Sequence, residues 1–127
     1  MTRRLLVALA IAALSACSTA PGQRLQDFFQ PSKGSAALST GLTQFEDGDY
    51  PDASKNLRSA IELGLTDKDR VNAHKHLAFI DCASGRERQC RDQFLIALAI
   101  DPGLELTPAE AGHPVWGPIF KSLKAGR

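Results

Sequence analysis

Residues 35–63 read SAALSTGLTQFEDGDYPDASKNLRSAIEL, and the fold follows from this stretch. Gly48 suits a tight turn, because glycine adopts positive φ without penalty. Pro51 follows at once, where the fixed φ of proline suits the first turn of a helix. Two helices are therefore expected, near 35–47 and 51–63. Small and apolar residues recur across the two segments at Gly41, Ala53, Leu57, Ala60 and Ile61.

A second copy of the pattern lies downstream at an offset of 37 residues. It contains Leu77, Ala78, Gly85, Cys90, Phe94, Ala97, Leu98 and Asp101-Pro102. Ala78 replaces Gly41, Cys90 replaces Ala53, and Ala97 matches Ala60. Helices are expected near 67–83 and 87–100, with Gly85 in the turn between them. Thr66 with Asp69 resembles a capping box with Asp in the acidic place. Pro102 cannot continue the last helix. Residues 35–102 thus resemble the tetratricopeptide repeat, a helix–turn–helix unit of about 34 residues. That resemblance implies that Gly41 and Ala53 sit where the paired helices touch, where a larger side chain would push them apart. The extra residues between copies fall in Gly64 to Asp67. Two departures from the family pattern stand out. Thr40 occupies the place of a large residue, and Asp81 and Glu87 stand where aromatics are common.

Upstream of the repeats the chain has a different character. Met1 to Arg4 is basic, Leu5 to Leu14 carries no charge, and Ser15-Ala16 is small. Such an order is that of an export signal. The apolar run is much shorter than the roughly 20 residues that a spanning helix needs. Leu14-Ser15-Ala16-Cys17 resembles the lipobox of bacterial lipoproteins. That resemblance implies cleavage before Cys17, a diacylglyceryl thioether on its sulfur and acylation of the new amine. Several acyl chains hold durably, at roughly 0.8 kcal/mol per buried CH₂. Ser18 rather than Asp after the cysteine implies, on the enterobacterial pattern, the periplasmic face of the outer membrane. The expected divisions are a signal peptide at 1–16, a lipidated tether at 17–34 and a helical domain at 35–127. Pro21-Gly22, Pro31-Ser32 and Gly34 give the tether its linker composition. Within it Leu25, Phe28 and Phe29 form one apolar turn, read as a brief helix on the domain or as a partner-binding peptide.

Two repeats rarely bury enough surface to stand alone. Downstream, Thr107-Pro108-Ala109-Glu110 reads as a helix start. Trp116, Ile119, Phe120 and Leu123 then fall on one helical face. We expect a capping helix on the 87–100 helix, with Lys121, Lys124 and Arg127 facing outward. An aromatic docking surface is the alternative. Residues 82–90 (CASGRERQC) and 106–118 (LTPAEAGHPVWGP) also resemble small tetratricopeptide lipoproteins associated with type VI secretion. That resemblance implies an accessory outer-membrane protein of the secretion apparatus. The expected fold class is therefore all-α, with two tetratricopeptide-type hairpins and a C-terminal cap.

An export signal puts Cys82 and Cys90 in an oxidising compartment. Eight residues apart, they flank the turn at Gly85, and a disulfide is expected there, with two buried thiols as the alternative. Zinc is the rival for these cysteines with His74, His76 and His113, but no CxxC or HxxxH spacing exists. His74 and His76 lie roughly 200° apart around a helix. We expect His74 to pack, His76 to lie on the surface and His113 to close the C-terminal loop. Asp67, Lys68, Asp69 and Arg70 look like a solvated first turn. No nucleophile–base signature, phosphate loop or metalloprotease motif is present in the sequence, so neither an enzyme nor a cofactor or metal site is expected.

The whole chain carries a formal charge of +1, and setting aside Arg3 and Arg4 leaves 13 basic against 14 acidic residues. That balance gives no reason to expect nucleic acid as a partner. Tetratricopeptide pairs bind peptides or helices on the face made by each pair's first helix. The resemblance implies a groove of Leu38, Leu42, Phe45, Asn72, Lys75 and Phe79, with plain packing of these positions as the alternative. The expected function is an anchored periplasmic scaffold that binds envelope proteins, with secretion-apparatus components as partners. The alternatives are a pilotin-like or outer-membrane assembly-factor lipoprotein and, less favoured, a cell-wall enzyme.

Overall fold

The computed structural model describes residues 30–127, of which Pro31–Arg127 form one compact unit. Cys17, the signal peptide and the Leu25, Phe28, Phe29 turn lie outside the described residues. The described chain is all-α. Its helices are α1 (Ser35–Glu46), α2 (Tyr50–Leu63), α3 (Asp67–Ala83), α4 (Glu87–Ile100), α5 (Pro108–Ala111) and α6 (Trp116–Ala125).

Local chemistry sets each boundary. Gly48 and Gly85 take φ of +79° and +76° and turn α1 into α2 and α3 into α4. Pro51 lies in the first turn of α2. The Thr66 hydroxyl accepts the Asp69 N–H at 3.2 Å and opens α3. The full reciprocal box forms at α5, where Thr107 Oγ1 accepts the Glu110 N–H and Glu110 Oε2 accepts the Thr107 N–H. The four long helix boundaries agree with the sequence reading to within one residue.

The chain enters this unit through a contact that the sequence did not signal. Gly34 donates its N–H to the Gly64 carbonyl at 2.9 Å, joining the start of α1 to the end of α2. A Cβ at Gly34 would overlap the Ala60 carbonyl oxygen. The residue read as the end of a tether is therefore fixed in the folded unit.

The helices pack as antiparallel pairs, α1 with α2 and α3 with α4. Within the first pair, a Cβ on Gly41 would lie 2.9 Å from Leu57 Cγ, so the missing side chain permits the close approach. Leu38, Ala53, Leu57, Ala60, Ala73, Leu77 and Ile80 form one core cluster. Ala78, Phe79, Cys82, Cys90, Phe94, Leu98, Trp116 and Phe120 form the second. Phe45 packs against both. Helix α3 contributes to each cluster, which is why every residue from Leu77 to Cys82 is buried. Full burial of a large apolar side chain such as Leu57 or Phe94 is worth about 1.5–3 kcal/mol.

Helix α6 covers the second pair and contacts both α3 and α4, not α4 alone. Trp116 and Phe120 are buried, and Ile119 and Leu123 pack beside them. The Phe79 and Trp116 rings stack at 4.5 Å, and Phe94 meets Phe120 edge-on at 5.1 Å. Lys124 does not point outward as expected. Its ammonium donates to the Leu104 carbonyl at 2.9 Å and pairs with Glu105.

Asp81, which departs from the repeat pattern, is a buried charge with 1% exposure. Arg86 Nε donates to its Oδ1 at 2.9 Å, and the Arg86 N–H bonds the Asp81 carbonyl at 2.8 Å. Arg58 of α2 approaches Oδ2 at 4.0 Å. A buried carboxylate needs such partners, because desolvation costs several kcal/mol per ion. Asp81 therefore holds the α3–α4 turn through Arg86, while its Oδ2 makes no hydrogen bond among the described residues. Beside it Cys82 and Cys90 are bridged, with Cα atoms 5.1 Å apart.

Candidate partner-binding face

Helices α1 and α3 carry the residues of the expected groove. Leu38, Leu42 and Phe45 share one face of α1, and Asn72, Lys75 and Phe79 share one face of α3. The two lines converge at one end, where the Phe45 and Phe79 rings lie 6.0 Å apart. They do not make an open groove. Leu38 belongs to the first core cluster. Phe79 is 1% exposed beneath Trp116. Leu42 and Phe45 are half-buried.

The chain's own C-terminal segment takes much of this face. Glu110 of α5 reaches across to Lys75, with Nζ 2.9 Å from Oε1. The same ammonium lies 5.8 Å from the centre of the Phe79 ring. Trp116 Nε1 donates to the Glu110 carbonyl at 2.9 Å. His113 stacks on Trp116, and its Nδ1 accepts the Val115 N–H at 3.2 Å, which closes the loop before α6. Lys75 and Phe79, assigned to a partner on family geometry, are thus engaged within the chain.

Partial burial works to raise the pKa of Glu110. The Lys75 ammonium and the Thr107 N–H outweigh it, and the carboxyl is held below its ordinary value. His76 behaves differently from the surface residue expected of it. It lies between Phe45, edge-on at 4.9 Å, and Phe79 at 5.4 Å. Its Nδ1 donates to the Asn72 carbonyl at 2.8 Å. Burial lowers its pKa and the Lys75 charge adds to that, against opposing pulls from the Asn72 carbonyl, Glu110 and Glu46. The ring is held neutral more firmly than a free histidine. His74 packs as expected, with its Nδ1 donating to Gln93 Oε1 at 2.7 Å.

Open space remains toward the start of α3. A cleft of about 440 Å³ is lined by Asp67, Lys68, Val71, Asn72, Lys75, Ile100, Asp101 and Leu104. Only Asn72 and Lys75 among these were expected. Val71, Ile100 and Leu104 form its apolar surface, and its ionisable groups are two carboxylates and two ammoniums. Asp67 and Lys68, read as a solvated turn, are part of its rim. Ile100 and Leu104 escaped the sequence reading because they lie at the end of α4 and beyond it. The cleft exists only because the chain after Asp101 turns back along α3.

Among the described residues, no three His, Cys, Asp or Glu side chains converge as a metal site. Nor is any described helix long and apolar enough to cross a membrane. No protein-family model, curated protein or solved structure matches this chain.

Proposed function

We propose that this chain is a lipid-anchored adaptor of the bacterial envelope, held by Cys17, with a tetratricopeptide-like unit that binds a protein partner. The observation that carries the binding role is the cleft on α3. It joins the apolar Val71, Ile100 and Leu104 to charges of both signs. Such a lining suits a polypeptide, which brings apolar side chains, backbone polar groups and charges of either sign. It holds Asp67 and Asp101 beside Lys68, while Lys75 is paired with Glu110.

Two features support the envelope setting. The first 17 residues have the order of a lipoprotein signal. The Cys82–Cys90 bridge agrees with an oxidising compartment. The reading extends to an accessory role in type VI secretion through residues 82–90 and 106–118. Those stretches contribute Cys82, Cys90 and Trp116 to one core cluster, so they act as one structural unit.

The test uses the full anchored protein in its native cells. A photoreactive residue replaces Lys68 on the cleft rim, and crosslinked partners are identified by mass spectrometry. Cys17→Ser should move the protein from the membrane fraction to the soluble fraction. Secretion-apparatus adducts, with secretion lost on deletion, support the full reading. Adducts to outer-membrane proteins whose insertion fails on deletion would favour an assembly factor. An absence of protein adducts would overturn the adaptor role.

A further inference from the structure

The segment between Leu106 and Trp116 is a strap laid over α3. Its two ends are anchored in apolar packing, since Leu106 packs against the second core cluster and Trp116 belongs to it. No residue from Thr107 to Val115 is buried, and only Glu110 and His113 are half-buried. Helix α5, in the middle of the strap, packs its backbone on α6 and on no other described helix. Among the described residues, its one polar bond to α3 is the pair between Glu110 and Lys75. A segment with so little buried apolar contact opens at lower cost than the core beneath it.

Lys75 belongs to the α3 cleft as well as to this pair. With its charge answered by Glu110, the cleft keeps Asp67 and Asp101 against Lys68 alone and disfavours an incoming carboxylate. If the strap lifts, Glu110 leaves with it and Lys75 stays on α3 beside the Phe79 ring. The cleft then holds two carboxylates and two ammoniums, one of which lacks a partner. A carboxylate arriving from outside therefore has to exchange with Glu110. Glu110 competes from within the chain, at the high effective concentration that a short tether gives.

We propose that the 107–115 strap is an autoinhibitory latch on the α3 cleft. Glu110 holds the place of a partner's carboxylate on Lys75, and a partner peptide bearing that carboxylate displaces the strap while both core clusters stay folded. A ligand shifts such an equilibrium only through its preference for one form. Here the preference is for the open form, the one in which Lys75 is free to pair. This inference rests on the adaptor reading and adds its regulation.

The experiment uses the full anchored protein, purified in detergent micelles and also in its own cells. In micelles, hydrogen exchange read by mass spectrometry compares the amides of Glu110 to His113 with those of α3 and α6. The strap amides should exchange before either helix. Glu110→Gln removes the charge and keeps a side chain that completes the box with Thr107. It should quicken strap exchange about ten-fold, between the effects of losing an exposed and a buried pair, and leave α3 and α6 unchanged. Lys75→Met should quicken strap exchange by a similar factor. In cells, with the photoreactive residue at position 68, the two variants should diverge. The protein adduct should rise in Glu110→Gln by up to the same factor, because the open form is more populated. In Lys75→Met it should stay at or below the parent level, because the open cleft lacks its ammonium. A strap that exchanges only in step with α6, or at an unchanged rate in Glu110→Gln, would overturn the latch. An adduct that fails to rise in Glu110→Gln, or rises equally in both variants, would overturn the autoinhibition and leave the adaptor reading standing. No protein adduct in the parent or either variant would remove both.

Discussion

At the residue scale, Gly41 and His76 set two of the protein's limits. The Cβ of any side chain at position 41 would meet Leu57 Cγ at 2.9 Å and Leu57 N at 3.1 Å. The backbone nitrogen cannot move aside without moving α2. Gly41→Val should therefore cost roughly 1–3 kcal/mol, typical of an overpacked helix contact. The check is a urea titration in which the midpoint falls while the slope stays constant. His76 makes stability depend on pH. Its pKa in the folded state is lowered from the ordinary 6.5, so the unfolded chain binds more protons as pH drops below that value. Stability contributed by the neutral ring is present above pH 6.5 and is lost as pH falls through the folded value. Glu110, lowered from 4.5, adds a second loss of the same sign at lower pH. Thermal melts of His76→Phe should show a smaller decline between pH 7 and pH 5 than the parent; an equal decline would assign the effect elsewhere. A signal for the burial of His76 was available, since it lies three residues before Phe79 on the same helical face. Its charge type argued for the surface, and the aromatic contacts with Phe45 decided otherwise.

At the element scale, the helices were legible because their punctuation is local. Gly48, Pro51, Thr66, Gly85 and Pro102 act within a few residues of themselves, so a linear reading finds them. The inward face of α6 was legible for a similar reason, through the spacing of Trp116, Phe120 and Leu123. The place of α5 was not. Its Glu110 meets Lys75 across 35 residues of sequence, and nothing near either residue announces the other. This contact, together with Trp116 over Phe79, explains why the expected groove is partly filled. Helix α6 should be a major stabilising element. Trp116→Ala removes the stack on Phe79 and should cost about 3–5 kcal/mol, read by far-UV circular dichroism in urea. The Cys82–Cys90 bridge closes a short loop, and Cys82→Ser with Cys90→Ser should cost about 2–3 kcal/mol. The double variant should also lose the parent's sensitivity to reductant.

At the scale of the whole molecule, the unit holds two clusters in one cooperative body. Helix α3 is buried on both sides, and Phe45 touches both cores. Neither cluster can open without exposing part of α3. Trp116 is the single tryptophan and reports on the C-terminal cluster. Its fluorescence and the far-UV dichroism of all helices should give coincident unfolding curves. Separate midpoints would mean that the first pair and the capped second pair unfold as distinct bodies. The all-α architecture was legible from the periodicities and turn residues. The α3 cleft was not, because the return of the chain after Asp101 closes it and no one helix makes it. Gly34 has a mechanical consequence. Its N–H is fastened to Gly64, and its Cα lies close against the end of α2. A pull arriving from the N-terminal side would be delivered at the α2–α3 junction. The load would enter the folded unit through the first pair, at the Gly34–Gly64 bond.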